Sequence, residues 1–172
     1  MSIAPPLANI PVGVIVERCK AAGPWIDFLW RPLSVLVGQP ETAPWTKLTD
    51  DGARATFYAG AAAIELYRSE TSNYRGNLAL EAPSLWVVLR PTEADPPYQL
   101  FTVTADPAEG EALTEVGTDI VEPVPMPVAI QQAIAAFVAE HHVEPAVMKR
   151  KRDRANPGAL ARRARSLQED QE

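Results

Sequence analysis

The chain has 172 residues, a net charge of −6 and 17 prolines, and hydrophobic residues make up 47% of it. A chain of this size suits one domain that buries roughly 70% of the surface its unfolded form exposes, and the many prolines favour short segments joined by turns. The single cysteine excludes an intramolecular disulfide, the start shows no secretory signal, and no run reaches the roughly 18 apolar residues of a membrane span, so we expect a cytoplasmic protein.

Charge is divided unevenly along the chain. Residues 149–172 contain 8 Lys and Arg against 4 Asp and Glu, whereas residues 1–148 contain 8 against 18. An acidic body therefore precedes a basic tail. Since an acidic body repels phosphate backbones, any binding of nucleic acid would fall to the tail alone.

Short apolar segments rich in β-branched residues predict most of the strands. In chain order they are VGVIVER (12–18), WIDFLWRPLSVLVG (25–38), a hairpin of ARATFYAG (53–60) and AAAIELYR (61–68), SLWVVLRP (84–91) and PYQLFTVT (97–104). The prolines of DIVEPVPMP (119–127) predict an extended segment there. Pro32 lacks a donor for the strand ladder, which indicates an edge strand or a bend. Ile64 and Leu66 should lie in the core, and the unbroken apolar run at 84–91 predicts a central strand buried on both faces. The stretch 39–52 has the composition of a connection.

Two segments carry helical signals. Asp106 can cap a short helix that begins at Pro107 and ends near Gly117. Residues 127–142 place apolar side chains on one face of an amphipathic helix of about four turns.

We therefore predict an α+β fold: an antiparallel sheet of six or seven strands, curled or barrel-like, with one C-terminal amphipathic helix and a flexible basic tail. The predicted organisation is a loose lead-in (1–10), a single globular β-rich domain (11–145) and a flexible charged tail (146–172).

The stretch SETSNYRGN, residues 69–77, lies in the longest candidate loop before the strand at 84–91, which is SETSNYRGNLALEAP (69–83), and loops on rigid sheets are where binding residues tend to sit. Its side chains offer hydrogen-bond donors and acceptors. Five of them are candidate partner-binding residues: Glu70, Asn73, Tyr74, Arg75 and Asn77. The alternative is a loop whose Ser and Asn side chains satisfy its own backbone.

Trp25, Trp30 and Arg31 form a second candidate. The odd separation of the two tryptophans places them on opposite faces of a strand, so one of them could be exposed to a partner or stacked by Arg31. The alternative is that both are core residues. We predict Trp25 and Arg31 as partner contacts.

The basic run KRKRDR supplies the third candidate, with Lys149, Arg150, Lys151 and Arg152 as contact residues. Because no aromatic residue interrupts it, base stacking is unsupported, whereas an acidic patch on a protein or a phosphate would attract it. The alternative is a solvated tail without a specific partner.

The sequence carries no signature of catalysis or of metal binding. Nucleophile elbow, Walker loop and Gly-x-Gly-x-x-Gly stretch are all absent from it, so no catalytic residue is predicted. Adjacent helical residues point about 100° apart, so His141 and His142 cannot face one metal ion together, and no partner cysteine completes such a site. We interpret His141 as a helix-end residue that packs over the core and Cys19 as a small buried hydrophobe.

Seven stretches of the chain carry a resemblance to a known family: VGVIVERCK, PWIDFLWRPLSVLVG, APWTKL, ELYRSETSNYRGNL, PSLWVVLRP, DIVEPVPMP and HHVEPAVMKRKRDRANPGAL. They resemble an uncharacterised bacterial family, a numbered domain of unknown function, over residues 11–160. Its members are typically encoded beside molybdenum- or tungsten-dependent formate dehydrogenases, and some carry the name molybdopterin-guanine dinucleotide biosynthesis protein A. The resemblance implies a role in assembling or maturing a molybdenum enzyme, and no catalytic residue is carried over with it.

The favoured hypothesis is a cytoplasmic accessory protein, not an enzyme, that binds a formate dehydrogenase subunit or another assembly factor and needs no cofactor. The alternative is a protein that binds, or acts on, the molybdopterin cofactor. Arginine suits phosphate, and the candidate cofactor residues are Arg31, Arg68, Arg75 and Arg90, with Tyr74 stacking on the pterin. A weaker alternative is nucleic-acid binding through the basic tail.

Overall fold

Seven strands and three α-helices form the part of the chain that the computed structural model describes, residues 4–115 and 117–144. In chain order the elements are β1 (Ala8–Lys20), β2 (Phe28–Val37), β3 (Thr46–Asp50), β4 (Arg54–Leu66), a 3₁₀ turn (Arg68–Glu70), α1 (Thr71–Leu78), β5 (Ser84–Pro91), β6 (Tyr98–Thr104), α2 (Pro107–Thr114), β7 (Ile120–Pro125) and α3 (Val128–His141). All of them lie in one compact unit that ends at His142, and Val143 begins a second unit. The tail predicted at 146–172 lies outside the described residues.

The strands form two antiparallel sheets, one of order β2-β1-β4-β3 and one of order β6-β5-β7. The α+β class is confirmed, but the prediction of a single curled sheet is wrong. β4 lies beside β6 and β2 beside β7, yet no strand pairing joins the sheets, and neither closes into a barrel within the described residues. Prolines are one reason why β2 and β7 lie side by side without hydrogen bonds between them. Pro32 in β2 and both Pro123 and Pro125 in β7 have no N–H to donate.

The core lies between the two sheets. Val12, Val14 and Val16 alternate along β1, are fully buried, and cluster with Val87 of β5, as expected when side chains of period two face one side of a sheet. β5 is confirmed as a central strand buried on both faces, because it lies between β6 and β7 and because α2 packs against it.

β4 is one continuous strand, so the prediction of a hairpin around Ala59 and Gly60 is wrong. Gly60 has a φ of 138° and lies where the register between β1 and β4 shifts, at Val14 and Ile15. The glycine therefore makes a bulge rather than a chain reversal. Both halves of β4 pair with the 13-residue strand β1, which is long enough to hold them in one ladder.

Residues 69–77 are helical, so their prediction as a loop is wrong. The 3₁₀ turn leads directly into α1, whose buried residues Thr71, Tyr74 and Asn77 are spaced three apart. These side chains bury one face of a mostly polar helix. Packing against the rest of the fold, rather than local propensity, stabilises such a helix.

The other two helices confirm their predictions. Asp106 caps α2 by accepting a hydrogen bond from the backbone N–H of Ala108 at 2.9 Å, and Pro107 begins the helix. α3 buries Ile130, Ile134 and Phe137 on one face. The predicted connection at 39–52 needs a correction, because β3 lies within it and pairs with β4.

Candidate functional site

An exposed apolar strip runs along β2 and the turn before it. Its members each leave more than a third of their surface open, and we call them the apolar edge: Trp25, Ile26, Phe28, Leu29, Leu33, Leu36 and Val37. Trp25 is 93% exposed and Leu29 is 57% exposed. β2 is the terminal strand of its sheet, so within that sheet only β1 flanks it. The result is a strip of exposed apolar side chains along one strand and the turn before it.

Trp25 and Trp30 differ in their surroundings, though not for the predicted reason. β2 begins only at Phe28, so Trp25 lies in the preceding turn and the two residues do not alternate along one strand. Trp30 is half-buried and packs on Phe57, with ring centroids 5.5 Å apart. The guanidinium that stacks here belongs to Arg18, which lies 4.3 Å from the centre of the Phe28 ring, and not to Arg31.

Arg31 lies within the apolar edge and is fixed by β1. Its Nε donates to the Glu17 carboxylate at 2.7 Å, and Nη1 of Arg54 donates to the other oxygen at 3.2 Å. Glu17 is buried under these two half-exposed guanidinium groups. The hydrogen bond from Arg31 is the main cause that lowers the pKa of the Glu17 carboxyl. The cluster holds a positive group at a fixed place among the apolar side chains.

Tyr74 and Asn77 of α1 act as structural anchors. The Tyr74 hydroxyl accepts from the backbone N–H of Tyr67 at 3.0 Å, and desolvation by burial raises the pKa of Tyr74 to about 12. The Asn77 amide donates to the carbonyl oxygens of Ser84 and Ala105 at 2.8 and 3.0 Å, and its oxygen accepts from the Ser84 N–H at 3.1 Å. Both predicted contact residues therefore face the interior.

Glu70, Asn73 and Arg75 lie nearer the surface of the same helix. The Asn73 amide donates to Glu70 at 3.0 Å and to Asp106 at 3.2 Å, which ties α1 to the start of α2. Nη1 of Arg75 lies 3.2 Å from Nε2 of His142, whose Nδ1 lies 3.0 Å from the Thr71 hydroxyl. Since a guanidinium only donates, Nε2 is the acceptor. The end of α3 is thereby fastened to α1.

Three open cavities surround the 3₁₀ turn, α1 and the start of α2, and we call them together the α1 groove. Cavity A, about 470 Å³, is lined by Ala4, Pro5, Leu7, Tyr67, Arg68 and Ser69. Cavity B, about 350 Å³, is lined by Tyr67, Ser69, Glu70, Asp106 and Glu109. Cavity C, about 420 Å³, is lined by Ser72, Asn73, Gly76, Asn77, Leu80, Pro107, Ala108 and Glu111.

The four arginines of the cofactor hypothesis have separate neighbours. Arg31 binds Glu17, Arg75 contacts His142, and Arg68 lines cavity A. Arg90 donates twice to Asp119, at 3.3 and 3.0 Å, and stacks on Phe101 with 3.6 Å to the ring centre. The Tyr74 ring packs against Phe137 inside the core. The structure does not gather these groups around one site, and the cofactor hypothesis stays a prediction.

Several residues of these surfaces are not predictable from the sequence. Leu29, Leu33 and Leu36 carry no signal of exposure in the sequence, because an apolar strand residue is expected to be buried. Asp106 and Glu109 lie some thirty residues beyond α1, so only the fold brings them beside Glu70. The sequence predicts Asp106 as a helix cap, but a capping pattern is local and does not predict its contact with α1.

The two histidines and the tail complete the predicted candidates. His141 packs against Phe137 with ring centroids 4.5 Å apart, which confirms its interpretation as a helix-end residue over the core. Among residues 4–115 and 117–144, no three His, Cys, Asp or Glu side chains are grouped to hold a metal ion. No helix in that part of the chain has the length and apolar character to cross a membrane. Lys149, Arg150, Lys151 and Arg152 lie outside the described residues.

A family model described as "Protein of unknown function (DUF3305)" matches residues 11–152 of the chain. No curated protein and no solved structure is significantly similar to it. The matched range contains the whole apolar edge, α1 and α2.

Proposed function

Because the chain belongs to the DUF3305 family of proteins of unknown function, we propose from its surface that it is a non-enzymatic accessory protein that acts by binding another protein. The observation that carries this proposal is the apolar edge. A concentration of exposed apolar side chains on one part of a surface mostly marks a site of interaction with a protein or a ligand. Here the surface is a strip along a strand rather than a concave pocket, which suits a protein partner better than a small molecule.

The composition of the apolar edge fits a protein interface in detail. Trp and Arg are the residues most enriched where interfaces bind most strongly, and Trp25 and Arg31 both lie here. Burying one leucine-sized side chain fully contributes roughly 1.5–3 kcal/mol, so a few of these side chains suffice for specific binding. Arg31 is already positioned by Glu17 at 2.7 Å, so less side-chain entropy is lost when a partner contacts it.

For the identity of the partner we propose a subunit of a molybdenum-dependent formate dehydrogenase or an assembly factor for that enzyme. The sequence resemblance supports this choice, since the similar bacterial proteins are encoded beside such enzymes. The basic residues Lys149, Arg150, Lys151 and Arg152 are proposed as further contacts, on the same ground. Binding of nucleic acid is the lesser alternative for them.

Affinity capture from the native organism, followed by mass spectrometry, tests the proposal. The tagged full-length chain should recover a formate dehydrogenase component, and recovery should fall at least tenfold for Trp25→Ser and for Leu29→Glu. Leu48→Glu is the matched control, because Leu48 is an exposed leucine on β3, the opposite terminal strand of the same sheet. Repeated capture by the unmodified chain without any molybdenum-enzyme component would remove the proposed partner.

A further inference from the structure

The α1 groove shares no lining residue with the apolar edge, and its cavities adjoin one another. Cavities A and B share Tyr67 and Ser69. Cavities B and C are separated by the Asn73 amide, which donates to Glu70 and Asp106 of cavity B while its side chain also lines cavity C. Cavity B therefore lies between the other two.

The chemistry of the groove changes from one cavity to the next. Cavity A is bordered by Ala4, Pro5 and Leu7, and cavity C by Leu80 and Pro107, so both ends are largely apolar. Such ends accept apolar side chains.

Cavity B, in the middle, is acidic. Carboxylates of Glu70, Asp106 and Glu109 line it, and Glu65 stands beside it because its carboxylate accepts the Tyr67 hydroxyl at 2.6 Å. That carboxylate is the main cause that raises the pKa of Tyr67 to about 12, so the phenol stays neutral. The middle of the groove thus favours a cation between two apolar groups.

We propose that the α1 groove binds an extended segment of a protein partner in which a basic residue stands between apolar residues. The inference rests on the proposed function, because it names the chemistry of a segment that a partner would present. Three neighbouring open cavities, each of 350–470 Å³, suit alternate side chains of an extended chain, which point to the same face and are commonly bound by separate specificity pockets.

The proposal is tested with peptide pools and the full-length ¹⁵N-labelled protein. One pool carries Arg at the centre with Leu, Ile, Val, Phe or Met at the two positions on either side. A second pool has Glu at the centre, and a third keeps Arg but has Ser at the flanking positions. The first pool should shift the backbone amide signals of the 3₁₀ turn, α1 and the start of α2, and it should bind at least tenfold more tightly than either of the others.

Charge and shape variants make the test specific to the groove. Glu70→Gln and Glu109→Gln remove a charge while keeping an oxygen acceptor, so each should weaken binding roughly 3–5-fold, whereas Glu41→Gln, on an exposed loop between β2 and β3, should not. Gly76→Leu should weaken it as well. A Cβ built there meets no atom within 4 Å, and Gly76 lines cavity C, so a larger side chain should narrow that cavity.

Two outcomes would overturn the proposal. One is equal binding of the Arg-centred and Glu-centred pools, and the other is an absence of shifts in α1 at millimolar peptide. The peptide experiment and the capture experiment can fail independently of each other. A partner captured through the apolar edge while no peptide binds would leave the accessory role standing, and peptide binding without any captured formate dehydrogenase component would leave the groove standing.

Discussion

Replacement of Gly110 by alanine should destabilise the protein through a single contact. Gly110 lies in α2, and a Cβ built on it would stand 2.4, 2.7 and 2.9 Å from three ring atoms of Trp86 on β5. Ordinary contacts of such atoms are 3.4–4 Å, so the helix and the strand would have to separate by about 1 Å. Overpacking of this kind typically costs about 1–3 kcal/mol.

Gly76→Ala is the matched control, because Gly76 is also helical and a Cβ there meets nothing within 4 Å. Both substitutions gain about 0.5–1 kcal/mol from the lost backbone freedom of glycine, so the difference between them isolates the contact with Trp86. In thermal and urea unfolding Gly110→Ala should be about 1–3 kcal/mol less stable than Gly76→Ala, a separation in Tm of roughly 2–12 °C. In a Trp86→Leu background the difference should shrink. Equal stability of the two alanine variants would refute the packing of α2 against β5.

Three further predictions concern the polar anchors, each measured by chemical unfolding. Asn77→Asp should lower the free energy of unfolding by about 2–4 kcal/mol, because a carboxylate cannot donate to the two carbonyl groups that Asn77 now satisfies. A loss below about 0.5 kcal/mol, which is the range of surface substitutions, would contradict its anchoring role. Tyr74→Phe should lower the free energy of unfolding by about 1–2 kcal/mol. Tyr67→Phe should lower it much less, since the Tyr67 hydroxyl binds the exposed Glu65. Equal losses for the two variants would contradict the anchoring role of Tyr74. Glu17→Gln should destabilise the protein at pH 7 by about 1–3 kcal/mol. The pKa of Glu17 is lowered in the folded state, so its contribution is present above the ordinary carboxyl range and disappears as the pH falls through the lowered pKa; a difference that grows on acidification would have the wrong sign.

Local pattern predicts the elements whose burial repeats regularly along the chain. Val12, Val14 and Val16 alternate, and Ile130 and Ile134 lie one helical turn apart, so β1 and α3 follow from spacing alone. In both elements the apolar residues share the buried face, and another local conformation of the same residues would bury less apolar surface.

Elements that depend on distant partners are not predictable in this way. Gly60 carries the same sequence signal for a turn and for a bulge, and only the length of β1 decides between them. α1 has a polar sequence, and it is helical because Tyr74 and Asn77 are satisfied by Tyr67, Ser84 and Ala105.

The candidate surfaces likewise combine residues that the sequence predicts with properties that depend on the fold. Trp25 was predicted from its odd separation from Trp30 along one strand, whereas it is exposed because it precedes that strand. The apolar edge as a whole depends on β2 being the terminal strand. The acidic middle of the α1 groove depends on the fold, which brings Asp106 and Glu109 to the same cavity as Glu70. Neither property is encoded in a local run of residues.

The accessory role is tested most directly by deleting the gene in its native organism and measuring formate dehydrogenase activity in cells grown on formate. Activity should fall at least tenfold on deletion and return when the unmodified gene or its Leu48→Glu variant is supplied, but not when the Leu29→Glu variant is supplied at the same protein level. Unchanged formate dehydrogenase activity in the deletion strain would contradict the account.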